Sequence, residues 1–291
     1  MEKLVFVGMP TFNKPDKKRF FTDALDSILA QTYKNIKIFI SDNDSLDDTE
    51  MVCREYTKKD NRIYYVRQKG NRGEKWNINF VLQEGLKDKS AEYFMWACDD
   101  DLWDKTFIEK CVKKLEKDPE AVMVLTSFER FDEKDKNRSQ SEFYVPEKAT
   151  SLKRGLYERM KEHIFISWLD GKGAATYGLW RTKKIVPGSA IEPYWGSDMN
   201  FNFRNLAAGP YLGIDDVLYF KRTDYSRPET WSLPKRIYKT LGLRLDKVFS
   251  PFFIRIWQYI FEIQGLSFWQ KVKLSFFNFL IIFRLFLRRK I

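Results

Sequence analysis

Tyr93-Phe94-Met95-Trp96-Ala97-Cys98-Asp99-Asp100-Asp101 decides the fold. The five apolar residues read as a buried strand, and the three carboxylates stand at its mouth. Three acids side by side repel one another and gain little unless a positive group sits among them. A divalent cation carrying a diphosphate is the natural occupant, because hard cations take oxygen ligands and keep positions open for substrate phosphates.

Working outward, further apolar β-type runs lie at residues 4–7, 36–40, 63–66 and 122–125. Helical patterns cover 19–30, 47–56, 76–85 and 105–115 between them, with Trp76, Phe80 and Leu82 spaced for one face. Strand and helix alternating through short connections predicts an α/β fold with a doubly wound, mostly parallel sheet. Ligands of such sheets bind at the carboxyl ends of the strands. Three polar clusters sit there and should converge: Pro10-Thr11-Phe12-Asn13, Ser41-Asp42-Asn43-Asp44-Ser45 and Asp99-Asp100-Asp101. Beyond them the alternation weakens. The charged segment 131–148 reads as a loop or solvated hairpin, 173–181 as another strand, 195–205 as a loop entering a helix, and 211–220 as a last strand.

The 291 residues suffice for one large domain with an appendage, and 31% charged residues mark a globular chain. The net charge of +11 is unevenly placed. From Lys221 onward there are 15 Lys/Arg and 4 Asp/Glu, while residues 1–220 hold 36 of each sign. A neutral body with one basic, aromatic end points to an anionic membrane surface and not to nucleic acid. Met1-Glu2-Lys3 leads straight into the first strand, so no secretory leader is read and a cytoplasmic location is expected, peripheral on the inner face of the membrane. Cys53, Cys98 and Cys111 are odd in number and show no CxxC spacing, which fits reduced thiols.

The C-terminal residues 251–263 and 266–287 are apolar and helical in pattern. The densest stretch, 276–287, spans about 18 Å as a helix, against roughly 30 Å of hydrocarbon core. Asn278 and Arg284 interrupt it. An interfacial helix with basic residues at the headgroups is expected; packing on the body and a dimer contact are the alternatives.

The order Pro10-Thr-Phe-Asn13, Ser27-Ile-Leu-Ala-Gln31-Thr-Tyr33, Asp42-Asn-Asp-Ser45-Leu-Asp47-Asp-Thr49, Asn71-Arg-Gly73, Asp99–Asp101 with Leu102-Trp103, and Gly196-Ser-Asp198 resembles the family 2 glycosyltransferases. The resemblance covers about residues 5–222. It implies a GT-A fold: a GT-A domain over 1–222, made of a nucleotide-sugar half (1–126) and a variable acceptor half (127–222), followed by a membrane-associating helical region (223–291). It further implies inverting transfer from a nucleoside diphosphate sugar, UDP being the commonest, to a glycan or lipid-linked acceptor in surface polysaccharide synthesis, with Mn or Mg.

Carried onto this chain, the resemblance makes Asp101 a metal ligand, with Asp99 or Asp100 as its partner and Asp100 otherwise on the donor. Many members read Asp-x-Asp-Asp where this chain has Cys98 first. Asp42 is expected on the nucleotide base, and Thr11, Phe12 and Asn13 beside base and ribose. Asn71 and Arg72 are expected along the nucleotide, with Arg72 facing phosphate. Asp198 is the expected catalytic base, and Trp195 stacks on an acceptor sugar or packs in the core. Local structure offers plainer roles: helix capping for the three acids or for Ser197, an Asx turn for Asp42, a flexible loop for 70–73 and a packing role for His163. Two other functions compete. A dinucleotide-dependent oxidoreductase lacks its GxGxxG, since Gly8 alone follows strand one, and a non-catalytic membrane-associated nucleotide-binding protein would not need acids at both 99–101 and 198.

Overall fold

The computed structural model describes residues 2–12, 18–131, 155–166, 176–194, 196–222 and 251–287. The readings at Asn13 and Trp195, in the charged segment after Phe131, at 173–175, in 223–250 and at Arg288-Arg289-Lys290 lie outside them.

The chain begins with β1 (Leu4–Thr11), α1 (Lys18–Leu29), β2 (Ile36–Asp42), α2 (Thr49–Lys59), β3 (Ile63–Arg67), α3 (Glu74–Lys87) and β4 (Ala91–Trp96). Then come β5 (Leu102–Trp103), α4 (Phe107–Glu116), β6 (Met123–Phe131), α5 (Leu156–Ile166), β7 (Leu179–Arg181), α6 (Ser197–Asn205) and β8 (Tyr211–Arg222). Two helices end the described chain, α7 (Pro251–Glu262) and α8 (Phe268–Leu287).

The described strands form one sheet of order β3-β2-β1-β4-β7-β6-β8-β5. β3-β2-β1-β4 and β6-β8 pair in parallel; β7 joins β4 to β6 antiparallel, and β5 runs antiparallel to β8. The apolar runs follow from burial on both faces. Val5, Val7 and Met9 of β1 share a core with Leu25 and Ile28 of α1, Val52 of α2 and Ile108 of α4. Phe6, between them, joins Val81 and Leu82 of α3 and Met199, Phe201 and Phe203 of α6 on the opposite face.

Gly8 and Gly85 let α3 lie close on the sheet: a Cβ at Gly8 would stand 2.9 Å from Val81, and one at Gly85 2.6 Å from Phe94. Gly8 therefore lies within β1 and serves helix–sheet packing. Cys53 and Cys111 are buried free thiols, and Cys98 is free and half-buried.

Of the strand read over 173–181, the described residues show Leu179–Arg181 as strand, pairing two residues with β4 and two with β6 before a 3-10 turn at Thr182–Lys184. β5 is two residues long, too short to leave a pattern. α5 went unread in the sequence, although Leu156, Met160 and Ile164 recur at helical spacing and the last two are fully buried.

α7 and α8 turn on Gly265, whose φ of +86° suits glycine. Their inner faces pack on the body: Ile256, Tyr259, Ile260, Ile263 and Leu274 are buried in the same core as Met160, Ile164 and Phe203. Arg255 pairs with Glu192 at 3.1 Å, and Trp257 Nε1 donates to the carbonyl of Ser275 at 3.0 Å. The packing alternative for this region is thus the observed one for its inner side.

Candidate active site

The carboxyl ends of β1, β2 and β4 open on a cavity of about 610 Å³, within the range of small-molecule sites. Pro10, Thr11 and Phe12, Asn43, Asn71, Gly73 and Asn77, and Trp96 to Asp100 line it. Thr176, Tyr177, Ile191 and Asp198, from later in the chain, complete the lining. Three clusters read from the sequence therefore meet in one crevice, with Asp198 also facing it.

The three acids part company. Asp99 Oδ2 accepts the Thr11 hydroxyl at 2.7 Å, so it ties the β4 end to β1. Asp101 is 2% exposed and bound to β8: Tyr219 donates its hydroxyl to Oδ2, and the Arg222 backbone N–H donates to Oδ1 at 2.8 Å. β5 supplies that geometry, because Leu102 and Trp103 pair with Phe220 and Tyr219 immediately after the acids. Asp100 faces the cavity. Ligand atoms of Cys98, Asp100 and Asp101 lie within 4.8 Å of one another, a donor set of two carboxylates and a thiol that fits a divalent cation. None of the three acids caps α4, whose N-cap is Thr106.

Electrostatics match this packing. Burial, then the charge of Asp100, raises the Asp101 carboxyl to about 6. Burial chiefly pushes the Cys98 thiol well above its ordinary value, with the charges of Asp101 and Asp100 adding.

Asp42 is fully buried and does not line the cavity. Its oxygens accept from the Ser45 N–H at 2.9 Å and the Tyr65 hydroxyl at 2.8 Å, the Asx-turn role. Its neighbour Asn43 faces the cavity instead. Asn43 Nδ2 donates to Asn71 Oδ1 at 2.8 Å, and Asn43 Oδ1 accepts the Arg72 N–H at 3.0 Å. The guanidinium of Arg72 rests 4.0 Å from the Trp76 ring centre, away from the cavity wall. Sequence reasoning missed Asn43 and Asn77 as site residues. Asn77 joins the ends of β1 and β2, donating to the carbonyls of Ser41 at 2.8 Å and Thr11 at 3.3 Å. Its signal was available: a polar residue on the inward side of the Trp76–Phe80 helix needs a buried partner.

Asp198 lies in the first turn of α6, whose N-cap is Gly196 at φ +82°. The N-cap position falls on Gly196 and Ser197 is the first residue of the helix itself, so the capping role read for Ser197 is corrected. Left-handed Gly196 turns the chain so that Asp198 faces the cavity, with Oδ1 accepting the Met199 N–H at 2.9 Å. His163 packs on Phe203, its Nε2 lying 3.1 Å from the carbonyl of Met199, a structural role.

Residues 6–173 match the family described as Glycosyl transferase family 2. Over 132 residues the chain is 35% identical to an uncharacterized glycosyltransferase of Rickettsia typhi, covering 45% of this chain and 38% of that protein. Over 102 residues it is 35% identical to the GalNAc(5)-diNAcBac-PP-undecaprenol beta-1,3-glucosyltransferase of Campylobacter jejuni, covering 35% of this chain and 30% of that one. The matches thus span 38% and 30% of the length of these two relatives. S. aureus TarS 1-349 in complex with UDP-GlcNAc superposes with a TM-score of 0.66 at 14% identity, over 94% of this chain and 70% of TarS, which shows the shared fold.

Proposed function

Since the chain belongs to glycosyl transferase family 2 and is a glycosyltransferase of GT-A type fold, we propose that it transfers a sugar, with inversion, from a nucleoside diphosphate to a glycan or lipid-linked acceptor. The observation that carries the reading is the single cavity in which Asp99 and Asp100 at the β4 end face Asp198 at the start of α6. UDP is the first donor to test, because the TarS fold neighbour was solved with UDP-GlcNAc.

In this reading Phe12, Asn43 and Asn71 receive the nucleotide. Asp198 accepts the proton of an acceptor hydroxyl, whose oxygen attacks the anomeric carbon from the face opposite the diphosphate. The sugar–diphosphate bond breaks, and its electron pair leaves on the diphosphate oxygen. Asp100 and Asp101, with Cys98 beside them, would hold a Mn or Mg ion, which when bound offsets the charge of the leaving diphosphate. Asp99 holds the β4 loop on Thr11.

The lipid-linked acceptor draws on the PP-undecaprenol named for the Campylobacter relative. A peripheral position on the cytoplasmic face, and a part in surface polysaccharide synthesis, draw on the basic end of the chain. Among the described residues no helix is long and apolar enough to cross a membrane.

The test is the thermal midpoint against nucleoside diphosphates and nucleotide sugars, with and without Mn, and against NAD. A ligand present at 100 times its Kd stabilises by about 2.7 kcal/mol, an easily read shift. A metal-dependent shift with one diphosphate supports the transferase and names its base. A shift with NAD alone, or none with any nucleotide, overturns it.

A further inference from the structure

Phe268, Trp269, Phe276, Phe279 and Leu280 of α8 are all between 43% and 70% exposed. At about 100° per residue they fall within one arc of about 120° of the helix surface. Leu274 and Asn278 lie on the opposite side and have no exposure. α8 is therefore apolar on both sides: one side is packed on the body, the other is a continuous aromatic strip. Soluble proteins rarely leave such a strip open to water.

The charges around it point to the occupant. After Glu262 the sequence contains no acidic residue, while Lys271, Lys273, Arg284, Arg288, Arg289 and Lys290 are basic. Lys273 lies on the helix surface next to the strip, between it and the packed side. A second copy docked on this face would bring two wholly basic helices together, whereas an anionic bilayer neutralises them. α8 is about 30 Å long, the thickness of a hydrocarbon core, yet its lysines and Arg284 rule out burial of its whole length. An orientation in the plane of the interface buries the strip and leaves the cations among headgroups.

We propose that the outer face of α8 is the membrane-docking surface of this protein, with Phe268, Trp269, Phe276, Phe279 and Leu280 entering the interface of an anionic leaflet. The proposal rests on the membrane-face reading above and names the surface that delivers it. The inner face of α8 stays on the body, so the catalytic unit is held rigidly at the lipid surface instead of on a tether.

The test is co-sedimentation of the full chain with phosphatidylglycerol-containing and with pure phosphatidylcholine vesicles. The double variant Phe276→Glu, Phe279→Glu is compared with the parent, and the nucleotide-dependent thermal shift of each serves as the folding control. The parent should bind anionic vesicles, and the variant should lose affinity by about tenfold or more with its nucleotide shift intact. Lys271→Gln with Lys273→Gln should make the residual binding less sensitive to salt. Equal binding by parent and aromatic variant overturns the assignment of this face. A parent that binds neither vesicle overturns membrane association itself, leaving the transferase reading to its own nucleotide test. A parent dimer that the glutamates dissociate makes the strip a contact between copies.

Discussion

Thr11 Oγ1 donates a 2.7 Å hydrogen bond to Asp99 Oδ2, fastening the end of β1 to the loop after β4. Both side chains are buried, so the carboxylate depends on that hydroxyl for part of its solvation. It also fixes how the chain leaves β4, and with it the direction of Asp100.

Thr11→Val keeps the shape and removes the donor. A hydrogen bond to a charged group contributes about 1.5–3 kcal/mol, and a buried acceptor left without it is costly. Urea unfolding should show a loss of that size, with Thr11→Ser recovering most of it. Metal-dependent nucleotide affinity should fall in parallel, since the neighbouring Asp100 loses its fixed direction. An unchanged unfolding midpoint in Thr11→Val would mean that the bond contributes nothing.

Asp101 gives the protein a pH dependence of defined sign. Burial, then the Asp100 charge, raises its carboxyl from 3.8 to about 6, against the pull of Tyr219, Lys221 and the Arg222 N–H. The folded state holds this proton more tightly than the unfolded chain. Its contribution is therefore fully present below pH 3.8 and is lost as pH rises through about 6. A rise of that size corresponds to at most about 3 kcal/mol. In EDTA, the parent should lose stability relative to Asp101→Asn between pH 4 and 6.5, and Mn at neutral pH should return part of the loss. Parallel stability curves for parent and variant would remove Asp101 as the source.

How much of this was legible follows from the range of the forces involved. The parallel strands announced themselves because strands buried on both faces are largely apolar, as residues 4–7, 36–40 and 93–97 are. Gln31 illustrates what a motif alone conceals. It is fully buried, donating to the Asp104 carbonyl at 2.8 Å and accepting the Ile108 N–H at 3.0 Å, so it holds the segment after the acidic cluster in place. The sequence shows only that a glutamine is there. The cavity is lined by Asn43 and not by Asp42 for a similar reason: the Tyr65 hydroxyl, 23 residues away, binds the Asp42 carboxylate. The separate fates of Asp99, Asp100 and Asp101 depend on Thr11 and Tyr219, partners about a hundred residues distant that no local pattern contains.

Asn278 is an unusual resident of the packed side of α8. It is fully buried, and neither its amide nitrogen nor its oxygen has a hydrogen-bond partner among the described residues. An unsatisfied buried polar group costs about 1–3 kcal/mol. Asn278→Leu should therefore raise stability by about that amount in urea unfolding. Destabilisation by the substitution would mean that Asn278 finds a partner in solution, such as an ordered water.

Asp198 carries the proposed chemistry, and its two roles separate experimentally. A first-turn acid favours its helix through the dipole by about 0.3–1 kcal/mol, whatever it does in catalysis. Asp198→Asn sheds that small term and loses the ability to take a proton. General base catalysis contributes about 100- to 10,000-fold, so kcat should fall by that factor while nucleotide affinity, read as thermal shift, stays near the parent value. Asp198→Glu keeps a base on a longer arm and should recover part of the rate. If Asp198→Asn turns over like the parent, Asp198 is a helix-start acid only, and the base has to be sought among the other groups lining the cavity. If it loses nucleotide binding together with turnover, the residue positions the donor and the proton goes elsewhere.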